Sequence, residues 1–163
     1  MRHPPWMTIL AVAANGPPRV ETHVATCTID AGRDVGVAWA VREEHRGIIW
    51  WFERRDRRGN RIGPQVELGW GYEGAETCAL GYHRGRYLAT WAWWDPYGGQ
   101  PELRTAVVER DRMIAQDGAY VGPYFDVEPV RVIPARGGWT IEYRLDAGGE
   151  ILRIHADRDG RLR

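Results

Sequence analysis

The side chains of this 163-residue chain best placed to do chemistry are aromatic rings beside acids at two glycine-rich turns. One is "WWDPYGG", Trp93 to Gly99, in which Trp94 and Tyr97 flank Asp95. The other is "GWGYEG", Gly69 to Gly74, which carries Trp70 and Tyr72. Exposed Trp and Tyr offer a flat apolar face with a polar edge, suited to stacking on a sugar ring or anchoring a protein partner. Asp95 would accept hydrogen bonds from hydroxyl groups. Trp94, Asp95, Tyr97, Trp70 and Tyr72 are therefore the candidate ligand-binding residues.

Catalytic and cofactor chemistry has less to stand on. The histidines, His3, His23, His45, His83 and His155, show no HxH or HExxH spacing, so no sequence-local metal site is expected. There is no GxSxG, P-loop or GxGxxG, and "GWGYEG" opens no helix that could cradle a phosphate. "DRDG", Asp157 to Gly160, has the first two acids of a calcium loop but reads as a hairpin turn. Cys27 and Cys78 form no CxxC and are expected to be small buried hydrophobes. No catalytic residue and no cofactor is assigned. The enzyme alternative is a composite acidic site at a repeat axis, using Asp95 or Asp146.

Composition narrows the partners. The 22 basic residues, every one an arginine, balance 22 acids. A chain of zero formal charge lacks the positive excess that nucleic acid or an anionic membrane surface demands. The opening "MRHPPWMTILAVAANGPP" has an apolar run, Ile9 to Ala14, too short for a secretory signal or a membrane span. A cytoplasmic protein is expected.

The elements that must position these residues come from an internal repeat. "RDVGVAWAV", "RGRYLATWAW" and "RGGWTIEYRL" align with Val35, Tyr87 and Trp139 spaced 52 residues apart. In this register Trp39, Trp91 and Tyr143 coincide. Every second residue is apolar or aromatic: Val35, Val37, Trp39, Val41; Tyr87, Ala89, Trp91, Trp93; Trp139, Ile141, Tyr143, Leu145. The alternate positions are smaller or polar. Such alternation predicts a strand with one buried face. It assigns Trp39, Trp91, Trp93, Trp139 and Tyr143 to the core and turns Trp94 the other way. Trp50, Trp51, Trp70, Tyr72, Tyr82, Trp94, Tyr97, Tyr120 and Tyr124 are left over, many of them near turns. Flanking segments extend the unit to four strands. The chain reads as one domain, 1–163, with an N-terminal strand (1–22) closing the last repeat. Repeat 1 spans 23–74, repeat 2 spans 75–126, and repeat 3, incomplete, spans 127–163.

Two segments, "GRYLATWAWWDPYGGQPELRTAVVERDRMIAQDG" and "GGWTIEYRLDAGGEILRIHADRDGRL", resemble a propeller-type repeat of large bacterial extracellular proteins. That repeat is an aromatic strand, an acidic turn, and a strand ending in "D-x-D-G-x-L". The tail also resembles the shorter tyrosine-aspartate repeats of bacterial shell proteins. The first copy departs from the pattern, since "VGVAWAV" lacks the leading aromatic. The resemblance implies an all-β fold of three tandem four-stranded antiparallel repeats, built as propeller-like blades. Propellers have about 4–8 blades, so three would form half of a six-bladed ring in a homodimer. A monomeric β-trefoil is the alternative. A repeat scaffold with leftover aromatics and no catalytic motif is expected to be a non-catalytic binding or assembly module that self-associates and takes a carbohydrate or a protein partner. A lectin-like protein using turn aromatics is the first alternative to it.

Overall fold

The computed structural model describes residues 22–72, 77–94, 100–122, 126–146 and 148–163. Asp95, Tyr97 and, but for Thr22, the expected N-terminal strand lie outside them. The described residues form strands and turns throughout, and no helix is long and apolar enough to cross a membrane.

Eleven strands make three antiparallel sheets, each from consecutive strands. Sheet 1 runs β1 (Thr22–Asp30), β2 (Val35–Glu43), β3 (Gly47–Arg55) and β4 (Arg61–Trp70). Sheet 2 runs β5 (Cys78–His83), β6 (Arg86–Trp94), β7 (Pro101–Glu109) and β8 (Arg112–Tyr120). Sheet 3 holds β9 (Val127–Ala135), β10 (Gly138–Leu145) and β11 (Ile151–Asp157). Leu162 then makes an isolated antiparallel bridge back to Ala156. The all-β, tandem-sheet architecture is the one expected.

The sheets stack face to face, with β1 against β5 and β5 against β9. Successive side chains on a strand point to opposite faces, so the strands of the middle sheet serve two interfaces. Between sheets 1 and 2, Ala38, Ala40, Trp50 and Phe52 meet Tyr87, Ala89 and Trp91. Between sheets 2 and 3, Leu88, Ala92, Leu103 and Val107 meet Trp139, Ile141 and Tyr143. The aromatic residues of β6 thus seat on Ala38 and Ala40 of β2 and on Trp50 and Phe52 of β3. Gly36 shows the fit: a Cβ there would lie 2.7 Å from the Tyr87 ring. Trp39, Trp91 and Tyr143 are all buried, as the repeat register requires.

Two expectations need correction. The alternate face of the central strands is not weak: Ala38, Ala40 and Leu88 are fully buried, because a neighbouring sheet covers them. Cys27 and Cys78 are not thiols filling a core. They form a disulfide that joins β1 to β5 across 51 residues of sequence. They hold the same place in successive repeats, and the first strands of those repeats lie side by side.

The stack ends in two different faces. On sheet 1, Val37, Trp39 and Val41 form a separate buried cluster. On sheet 3, the Glu142 side chain is only 2% exposed and lies between Arg131 and Arg153. Arg131 donates to Oε2 from Nε and Nη2 (3.0 and 2.7 Å), and Arg153 donates to Oε1 (3.0 Å). Hydrogen bonds from Arg131, and then from Arg153, hold the carboxyl below its ordinary value of 4.5 against the opposing effect of burial. A depressed carboxyl stabilises the fold above its unfolded value and loses that contribution as pH falls through the folded one. The wild type should therefore lose stability below pH 4.5 more steeply than Glu142→Gln. Urea midpoints between about pH 3 and 6 measure this, and parallel curves would refute it.

Candidate functional site

A groove lies between the outer strands of sheets 1 and 2, β4 and β8, bordered by β6 and β7. It encloses about 380 Å³ and is lined by Glu67, Leu68, Gly69, Trp70, Trp93, Arg104, Met113 and Gln116. Three large apolar side chains stand open along these two edge strands: Trp70 (58% exposed), Tyr120 (62%) and Met113 (39%). Of these, Trp70 and Met113 line the groove itself.

Cross-strand register builds the groove wall. Trp93, Glu102 and Tyr120 are direct partners across β6, β7 and β8, so they share one face. Trp91 and Arg104 form the next row. Arg104 leans from its row across Trp93, with its guanidinium carbon 4.4 Å from the ring centroid. Glu102 holds it there through an ion pair of 2.6 Å to Nε. A guanidinium over an indole face is attractive, and the contact fixes both planes.

The opposite wall is tied down through its backbone. Trp91 Nε1–H donates to the Trp70 carbonyl (2.8 Å), and Gln116 Nε2 donates to the Leu68 carbonyl (2.9 Å). Gly69 makes this approach possible. Its φ is +141°, and a Cβ there would lie 2.5 Å from Gln116 Nε2. Glu67 accepts from Arg46 at 2.7 Å. Glu67 in the groove and Glu102 beside Trp93 are thus each held by an arginine, an arrangement that orients acceptors.

The structure brings part of the expected site together. Tyr72 and Trp94 meet ring to ring, with centroids 5.2 Å apart and planes tilted by 41°. Trp70 borders the groove, while Asp95 and Tyr97 lie outside the described residues. Trp93, expected in the core, is instead half-buried in the groove wall. It shares the inward face of Trp91 but sits one step beyond the reach of sheet 1. Asp146 is a turn residue just past β10, its N–H donating to the Asp126 carbonyl at 2.9 Å. The Asp157 carboxylate accepts from the N–H groups of Asp159 and Arg161 and from Arg163, which is the turn role expected for it. No group of His, Cys, Asp and Glu that could hold a metal occurs among the described residues.

No protein-family model matches the chain, and no curated protein does. Among solved structures, the chain is similar to an α-L-arabinofuranosidase from Lactobacillus brevis, at 10% sequence identity and a TM-score of 0.45. The match covers 86% of this chain and 55% of the enzyme's, so the chain spans about half the length of that protein. At this degree of likeness no activity is transferred.

Proposed function

We propose that the chain is a non-catalytic binding module and that the aromatic groove between β4 and β8 takes a saccharide. The observation that carries this is the row Trp93–Glu102–Tyr120 with Arg104 laid over the Trp93 ring, in a groove walled on its other side by β4. Ring faces supply stacking area, and Arg104, Glu102, Glu67 and Gln116 supply fixed donors and acceptors for hydroxyl groups. A concave site with a few well-placed polar groups on an apolar lining is the usual form of a small-ligand pocket.

A glycan array followed by calorimetry tests the reading. Trp93→Ala and Tyr120→Ala should each weaken the bound glycan at least tenfold, about 1.4 kcal/mol or more. An array without a binder removes the saccharide. Hydrolysis of a glycan that stops on Glu67→Gln or Glu102→Gln removes the non-catalytic part.

Two further points belong to the same reading. The separate hydrogen-bonded ladders of the three sheets support propeller-type blades over a β-trefoil. The disulfide supports an oxidising compartment over the cytoplasm expected from the opening residues, because cytosolic thiols are kept reduced.

A further inference from the structure

β6 ends at the aromatic groove and begins, at Arg86, beside a second cavity. This one encloses about 390 Å³ where the turns of sheets 2 and 3 meet. His83 and Arg84 reach it from the β5–β6 turn, Arg136 and Gly137 from the β9–β10 turn, and Arg158 from the turn after β11. Three arginines, all exposed to solvent, thus line one cavity. None of the three side chains makes a hydrogen bond or ion pair among the described residues.

The acids nearby are already engaged. Asp159 is 3.4 Å from Arg86, and Arg86 also holds Glu109 at 3.1 Å. Asp157 is taken by its own turn and by Arg163. Between sheets 1 and 2 an arginine is held by two acids in the same way: Arg54 pairs with Asp34 (2.8 Å) and Asp111 (2.5 Å). Arg84, Arg136 and Arg158 come in addition to the paired Arg86 and leave the cavity between sheets 2 and 3 cationic.

Three like charges around one cavity repel, and a bound anion relieves that repulsion. Guanidinium forks match the paired oxygens of a tetrahedral oxyanion, and an imidazole adds a further polar ring nitrogen. We propose that this cavity is an oxyanion site, taking a phosphate or sulfate group. The group could arrive as the free ion or as the terminal ester of a larger ligand, since the chemistry that recognises it is the same.

The test is a titration of the full chain with sodium sulfate, with sodium phosphate and with phenyl phosphate, each against sodium chloride at matched ionic strength. Thermal unfolding and calorimetry are the readouts. Sulfate and phosphate should raise the unfolding midpoint saturably, with half-saturation at or below about 1 mM. Arg136→Gln with Arg158→Gln should raise that concentration at least tenfold. Arg58→Gln with Arg61→Gln, the same charge change on sheet 1, should leave it unchanged. Retained affinity for phenyl phosphate assigns the site to an esterified ligand, and its loss assigns the site to the free ion. An effect that chloride reproduces, or that survives the Arg136 and Arg158 changes, overturns the site. So does an effect lost equally in the Arg58 and Arg61 variant.

Discussion

Trp91→Ala is expected to cost about 3–5 kcal/mol, a large part of the stability of a domain of this kind. Trp91 is 1% exposed at the centre of the interface between sheets 1 and 2. Its ring lies 6.2 Å from that of Trp50, centroid to centroid, and a Cβ placed on Gly69 would touch it at 3.4 Å. A rigid wall of strands on both sides cannot collapse into the space an indole leaves. The transfer and cavity terms then add. The same truncation frees the Trp70 carbonyl that Nε1–H holds at 2.8 Å, so the groove should lose its wall as the core loses its filling. Trp91→Phe separates the two effects. It keeps most of the packing, removes the hydrogen bond, and should cost about 1–3 kcal/mol. Guanidinium unfolding curves with unchanged slope measure both. Trp94→Ala serves as the comparison on the opposite face. If Trp94→Ala proved the costlier change, the face assignment of β6 would be inverted, since a slip of one residue turns every side chain over.

That assignment could be made from sequence because period-two alternation is a local property. Val35, Val37, Trp39 and Val41 declare one face of β2 without reference to anything distant. The repeat at 52 residues then carries the declaration to β6 and β10. Alternation does not say how far the covering sheet extends. Trp91 and Trp93 have the same face, but β4 ends at Trp70, the residue whose carbonyl Trp91 binds. Trp93 lies past that edge and becomes wall instead of core. Ala38 and Ala40 failed to read as interface for a related reason. Small residues look indifferent in one strand and acquire meaning only when the Tyr87 and Trp91 rings of the next sheet seat on them.

The polar half of the groove was harder to see. Glu67, Glu102, Arg104 and Gln116 are ordinary solvated strand residues until the packing of two sheets sets them around Trp93. The partnership of Trp93 with Glu102 depends on the register of β6 against β7, and the approach of Gln116 to Leu68 depends on sheet-to-sheet distance. Both are long-range quantities. The arginines of the second cavity were visible as turn residues, one in each Arg-Gly pair at Arg84 and Arg136. Their place with Arg158 around one cavity follows only from the stacking of sheet 3 on sheet 2.

The second large effect is expected from the disulfide. Cys27 and Cys78 close a loop with a sequence separation of 51 residues, bridging β1 of sheet 1 to β5 of sheet 2. Closing a loop of that length removes unfolded-state entropy worth about 4 kcal/mol in the chain-entropy account, within a usual range of about 2–4. For a domain of this size that corresponds to a fall of roughly 8–16 °C in the unfolding midpoint. The folded state has other ties across the same interface, among them Gln116 to the Leu68 carbonyl and Arg54 to Asp111. Cys27→Ala with Cys78→Ala should therefore still fold, with both sheets in place, but with an unfolded chain free to expand. Two readouts follow. The double variant, or the wild type in excess thiol, should unfold at lower denaturant. Its m value should also rise, because the uncrosslinked chain exposes more surface. Equal midpoints for oxidised and reduced protein would mean that the bridge contributes nothing. A lower midpoint with an unchanged m value would place its effect in the native packing of β1 on β5, and the entropic account would fall.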